Sequence, residues 1–191
     1  PDKYRNGKLS PRLVQVLKDC HPAFVRFPGG CVVEGDVSFD YQYKWRNTVG
    51  PLESRKQIPN LWRYMQSYGV GFYEYFCLCE DIGATPLPVL HCGVLCQIRM
   101  GEQRQTGYQR IVPGTSRFQS EVIDNVADLI YFAKGDVSSK DRNESYWAKV
   151  RVDMGPPAPF ELKYIGIGNE NWGYEYFDNF ASCLLGVRQY M

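Results

Sequence analysis

Three observations predict an α/β fold with parallel strands, built as part of a (β/α)8 TIM barrel. Short apolar strands alternate with amphipathic helices along the 191 residues. Long segments follow the first two strands, whereas short ones precede the strands, which places the working loops on one face. The third strand, Leu162 to Ile167, stops at Gly168 and delivers Asn169 and Glu170 at its carboxyl end, where α/β barrels put their chemistry. Three strands cannot close a barrel of eight, and the opening helix lacks a strand before it. Residues 1–191 are therefore read as one partial catalytic barrel domain, truncated at both ends.

The elements follow in order. Ser10-Pro11 has the form of an N-cap followed by proline at the first helical position, and Leu13, Val16, Leu17 and Cys20 recur at helical spacing, so 11–20 reads as an amphipathic helix. Phe24 to Phe27 is a short strand ended by Pro28-Gly29-Gly30. Residues 31–60 are a long polar loop whose tryptophan and tyrosine content argues against disorder. Gly71 to Ile82 is a second helix, with Phe72, Phe76, Cys79 and Ile82 towards the core and Gly83 at its stop. Pro86 to Leu90 is a second strand with a long segment, 92–119, behind it. Glu121 to Lys134 is a third helix with Val122, Val126, Leu129, Ile130 and Ala133 in one stripe. Residues 135–160 are polar and proline-rich, with no element assigned. The third strand and a helix from Tyr174 to Tyr190 close the order.

Composition removes several function classes. Lys plus Arg (22) nearly balance Asp plus Glu (21), so no charge field points to nucleic acid or an acidic membrane surface. No apolar stretch reaches the roughly 18 residues of a spanning helix. No secretory leader is visible from Pro1 onward, and nothing in the sequence assigns a compartment. The seven cysteines are an odd number without a C-x-x-C pair. His91, Cys92 and Cys96 match no zinc spacing, so the cysteines read as buried small hydrophobes and free thiols, and no metal is assigned.

Glu170 is the residue that chemistry must explain. A glutamate after an apolar strand serves as an acid/base group, a nucleophile, a metal ligand or an N-cap of the next helix. Asn169 beside it, Gly168 before it and Trp172 after it suit a sugar site: the amide binds a hydroxyl, the indole stacks on a ring, and the carboxyl moves a proton.

Four segments carry a family resemblance in order along nearly the whole chain: F-V-R-F-P-G-G-C-V-V-E-G (24–35), Y-K-W-R-N-T-V-G-P-L-E-S-R (43–55), G-V-G-F-Y-E-Y-F-C-L-C-E-D-I-G-A (69–84) and P-F-E-L-K-Y-I-G-I-G-N-E-N-W-G (159–173). Together they resemble glycoside hydrolase family 51, the α-L-arabinofuranosidases. The resemblance implies a retaining, exo-acting enzyme that removes terminal arabinofuranosyl groups from arabinan, arabinoxylan or their oligosaccharides, needs no metal or organic cofactor, and is often a homo-oligomer. It implies that the chain covers about strands two to four of the barrel with their helices, with Glu170 as general acid/base at the end of strand four and Asn169 as the amide that binds the sugar 2-hydroxyl.

It also brings Trp62, Cys31 and His91 to the substrate. Trp62 lies where relatives have a substrate-contacting tryptophan, or it packs a loop. Cys31 stands where relatives carry asparagine or cysteine; a thiol is the weaker hydrogen-bonding group, so it lines the pocket without holding sugar. His91 stands where relatives show asparagine, and either faces the pocket or is a satisfied structural histidine. Arg26 reads as buried support for the barrel, Glu34 as a pocket or loop residue, and Glu74 and Glu80 as ordinary helix and surface residues. The family's nucleophile, a glutamate at the end of strand seven, and its strand-one glutamate are not among these residues, so the chain alone is expected to be inactive. The alternatives are a retaining barrel endoglucanase or xylanase, a non-catalytic carbohydrate-binding relative, and a cysteine-based metal module.

Overall fold

The computed structural model describes residues 9–191 apart from Val37, Leu61, 100–109 and 156–157. Its elements are α1 (Pro11–Asp19), β1 (Phe24–Phe27), β2 (Ile58–Pro59), β3 (Met65–Gln66), α2 (Phe72–Ile82), β4 (Thr85–Leu90), α3 (Ser116–Phe118), α4 (Asp124–Lys134), α5 (Arg142–Met154), β5 (Gly166–Ile167) and α6 (Gly173–Val187). A parallel sheet runs in the order β1-β4-β5, and β2 and β3 form a separate antiparallel ribbon. The parallel α/β class read from the sequence is the observed one.

β5 is shorter than the apolar run suggests, and β4 explains why. Thr85 N–H donates to the Ala23 carbonyl, so the backbone groups of 85, 87 and 89 face β1. The Leu90 carbonyl accepts from Gly168 N–H (2.7 Å), so those of 86, 88 and 90 face β5. Pro86 and Pro88 have no N–H to offer on that side. The β4–β5 ladder therefore forms only where the prolines end, at Val89 opposite Gly166 and Leu90 opposite Ile167. Leu162 and Ile165, ahead of β5, instead pack as half-buried side chains against the core.

That core is aromatic. Trp45, from the long loop after β1, is fully buried against Phe132 and Trp147, with ring centroids 5.6 and 4.8 Å away, and its indole N–H donates to the Asn125 carbonyl. Phe76 of α2 stacks on Phe160 at 5.0 Å. The aromatic content of the loop thus becomes packing that fixes its path. The helix expected from Glu121 starts earlier: α3, a π-helical turn over Gln119–Ile123 and α4 run on without a break, capped by the Thr115 hydroxyl accepting from Phe118 N–H.

Four expectations need correction. In α1 the stripe Leu13, Val16 and Leu17 is exposed, and Val14 is the buried residue, packed with Leu9, Ile82 and Ala84. Helix α5 occupies a stretch read as irregular. Asp141 caps it, accepting from Asn143 and Glu144 N–H, but its buried residues are only Trp147, Ala148 and Arg151, too few to write an apolar stripe. Arg26 is exposed rather than buried, on the sheet face away from α2. Glu74 is no surface residue: it is 1% exposed and paired at both oxygens with the Arg55 guanidinium at 2.9 and 3.0 Å.

The Arg55–Glu74 pair organises the loop end. Glu74 also accepts from Gly71 N–H at the start of α2, while Arg55 donates to the carbonyls of Gly50 and Tyr68. Burial by itself raises the Glu74 carboxyl, but the Arg55 hydrogen bonds and charge outweigh it and hold the group below its ordinary range. Removing one partner leaves a buried charge without compensation. Arg55→Met is expected to destabilise the protein by about 3–5 kcal/mol in urea denaturation, and Arg55→Met with Glu74→Leu to recover much of that loss.

Candidate active site

The site is built at the carboxyl ends of β1, β4 and β5. Gly168 adopts φ +81°, and a Cβ there would lie 2.7 Å from Asn171 Oδ1 and 2.8 Å from the Tyr176 ring. Only glycine allows the chain to turn that tightly off β5. Asn169 then enters the interior, 6% exposed, while Glu170 stays exposed with a left-handed backbone at φ +49°. A non-glycine residue in that region is held there by its surroundings, and such residues gather at functional sites.

Asn169 is held by both ends of its amide. Arg26 Nη2 donates to Oδ1, and Nδ2 donates to Glu34 Oε2 at 3.2 Å. A guanidinium only donates, so the amide orientation is fixed by its partners. Asn169 N–H donates to Asn171 Oδ1 (3.1 Å), and Gln97, from the segment after β4, closes the arrangement. Gln97 Oε1 accepts from Trp172 N–H at 2.7 Å and its Nε2 donates to the Trp172 carbonyl at 2.8 Å. Nothing local in the sequence ties Gln97 or Arg26 to this group, because neither lies near Asn169 in the chain; Arg26, singled out there only as barrel support, instead holds the Asn169 amide.

Glu34 is fully buried under this group. Burial pushes its carboxyl up to about 8; the Asn169 hydrogen bonds oppose that rise, the Glu170 charge adds to it, and Arg26 draws it down. Oε2 carries the Asn169 bond, and among the described residues Oε1 has no hydrogen-bond partner. Cys31 is half-buried on the same turn after β1, and Cys96 reaches it from the segment after β4: one donor atom each of Cys31, Glu34 and Cys96 lie within 4.8 Å of one another. The trio His91, Cys92 and Cys96 is not brought together as such a group among the described residues.

Trp62 sits at the tip of the β2–β3 ribbon, half-exposed and roughly parallel to Tyr64. Gly30 (φ +67°) lies beneath it, with the position of an added Cβ 4.0 Å from the indole edge. Trp62 therefore overhangs the turn that carries Cys31. His91 lines a cavity of about 220 Å³ with Val33, Tyr43, Trp45, Glu121 and Asn125. Its Nδ1 accepts from Gly93 N–H at 3.1 Å, the bond of a satisfied interior histidine.

Burial pushes His91 down to about 4, with the cations Lys44, Arg46 and Arg117 lowering it further against the raising effect of Glu121. The unfolded chain takes up its proton near 6.5 and the folded one only near 4, so this group costs stability as pH falls through that window. His91→Gln is expected to flatten the acid limb of the stability–pH curve between pH 6.5 and 4, by on the order of 3 kcal/mol at its lower end, read from urea midpoints.

With this geometry in place, comparison with known proteins identifies the lineage. The family model described as "Alpha-L-arabinofuranosidase 1 domain" matches residues 16–186. An extracellular exo-α-L-arabinofuranosidase of Streptomyces chartreusis is 41% identical over 94% of this chain and 21% of its own length. Alpha-L-arabinofuranosidase 1 of Arabidopsis thaliana is 39% identical over 92% of the chain and 23% of its own length. Among solved structures, the arabinose-bound MgGH51 α-L-arabinofuranosidase superposes with a TM-score of 0.72 at 26% identity, over 95% of this chain and 27% of that one. The Thermotoga maritima α-L-arabinofuranosidase, at 22% identity and a TM-score of 0.59 over 88% of this chain and 27% of that one, shares the fold. The chain spans between a fifth and a quarter of the curated relatives' length. On the match across residues 16–186 and these identities, the chain belongs to the α-L-arabinofuranosidases of glycoside hydrolase family 51.

Proposed function

We propose that these residues carry the acid/base half of the active site of a retaining, exo-acting α-L-arabinofuranosidase. The observation that carries the reading is the Asn169 amide, fixed between Arg26 and Glu34 beside the exposed carboxyl of Glu170. In this reading β1, β4 and β5 are three neighbouring strands of a (β/α)8 barrel, and residues 1–191 are part of that one catalytic domain. The substrate is a terminal arabinofuranosyl group on an oligo- or polysaccharide.

A retaining glycosidase uses two carboxyl groups about 5–5.5 Å apart. Glu170 protonates the leaving glycosidic oxygen as a second carboxylate attacks the anomeric carbon, giving a covalent glycosyl-enzyme. Glu170 then takes a proton from water as that water attacks the same carbon and releases the sugar. Solvent access suits the second role, because the water must reach Glu170. Asn169, pinned by its two partners, offers a preorganised amide to the 2-hydroxyl. Trp62 covers the sugar, and Cys31 lines the wall. By family resemblance the nucleophile is a glutamate at the end of barrel strand seven, so the 191 residues alone are expected to release no arabinose.

The test uses the full-length protein and an aryl α-L-arabinofuranoside. Glu170→Ala is expected to lower kcat/KM for poor leaving groups by about 100–10,000-fold. Azide is expected to restore turnover and yield a glycosyl azide of retained configuration. An unimpaired variant would refute the assignment of Glu170. A full-length protein inert on this substrate but active on an internal polymer bond would move the reading to an endo-acting hydrolase.

A further inference from the structure

We infer that Cys31, Glu34 and Cys96 form a binding site for one thiophilic cation of the zinc class at the floor of the sugar pocket, and that the bound ion inhibits the enzyme reversibly.

The site is assembled from two parts of the chain. Cys31 and Glu34 lie on and just after a tight 3-10 turn (Gly30–Val32) that follows β1, and Cys96 comes from the segment after β4. Their donor atoms lie within 4.8 Å of one another. Zinc bonds sulfur at about 2.3 Å and carboxylate oxygen at about 2.0–2.2 Å, so ligand atoms around one ion stand roughly 3.5–4 Å apart. From within 4.8 Å of one another, the donor atoms need to draw together by roughly 1 Å at most to take that spacing. Two thiolates and one carboxylate are donors that zinc and related soft cations accept.

The second observation is an orphan. Glu34 is 0% exposed, and among the described residues its Oε1 has no hydrogen-bond partner, although a buried carboxyl oxygen is costly to leave unsatisfied. Oε2 is occupied by Asn169 Nδ2, so the carboxylate can keep Asn169 through one oxygen and meet a cation through the other. Cys31 is half-buried, which gives the ion a way in from the pocket. Three protein ligands leave a fourth position of a tetrahedral ion for water or a sugar hydroxyl. No local motif announces the site, because Glu34 and Cys96 are far apart in sequence.

Binding does not depend on the proposed activity; inhibition rests on the reading of this pocket as the arabinose site. An ion bonded to Cys31 and Glu34 would occupy the wall beside Asn169, so sugar and ion should exclude one another.

The experiment titrates chelator-treated full-length protein with Co2+, reading the thiolate-to-cobalt charge-transfer band, and with Zn2+ by calorimetry. One equivalent is expected to bind. Cys31→Ser and Cys96→Ser should each weaken binding by more than the roughly 10–100-fold cost of losing an outer-shell partner, while Cys20→Ser and Cys183→Ser leave it unchanged. Should a variant fail to fold by circular dichroism, wild-type protein suffices: zinc should protect the half-buried Cys31 from iodoacetamide, read by peptide mass spectrometry. Absence of the cobalt band at millimolar metal, binding undiminished in both serine variants, or unaltered alkylation would overturn the site. A cobalt band with arabinose release unaffected by zinc would overturn the inhibitory role. A protein inert before any metal is added would instead count against the arabinofuranosidase reading, and the cobalt band would still report on the site.

Discussion

The Asn169 amide ties the functional end of this sheet together. Arg26 belongs to β1, Glu34 to the turn beyond it, and Asn169 to the loop after β5, so one side chain joins the two outer strands across the middle one. The arrangement is polar and partly enclosed, where a hydrogen bond to a charged group is worth about 1.5–3 kcal/mol and an unmade one costs at least as much as the group's desolvation. Asn169 is therefore held in one rotamer by its own partners in the chain. Glu170, next in the chain, inherits that fixed origin and needs a left-handed backbone to turn its carboxyl outward.

The middle strand explains why loops rather than strands meet here. Pro86 and Pro88 deny β5 two donors and confine the β4–β5 ladder to its carboxyl end. The ladder is thus present beside the candidate site and absent ahead of Gly166. Farther out, the buried Arg55–Glu74 pair anchors the end of the long loop to the start of α2, and Trp45 seals its middle into the core. These anchors hold the ribbon that carries Trp62. A loop this long can present a defined surface because its aromatic side chains bury enough area to offset the entropy of ordering it.

Much of the fold was legible in the chain, and the failures have identifiable causes. α2 was readable because its apolar face, Gly71 start and Gly83 stop agree. α5 was not, since three buried residues write no stripe; the signal available was Asp141 with Glu144 three residues on. The exposed stripe on α1 shows the opposite failure: helical spacing sets which residues share a face, not whether anything covers it. Glu74 resembled any helix-start glutamate until Arg55, nineteen positions earlier, was seen beside it.

For the candidate site, the sequence by itself pointed to Asn169 and Glu170. An apolar strand, a glycine stop and two polar residues are local features, and the forced turn at Gly168 follows from local sterics. Trp62 and Cys31 could be named through family likeness, and the fold brings both to the same turn. Only the tertiary structure decided that Arg26 and Glu34 grip Asn169, that Gln97 holds the Trp172 backbone, that His91 is enclosed with Tyr43 and Trp45, and that Cys31, Glu34 and Cys96 converge. These relations join residues up to 143 positions apart, as in Arg26 with Asn169. The hydrogen bonds that fix them form only after strands far apart in sequence pair, and no periodicity or spacing within a segment encodes which distant side chain will complete a buried polar group.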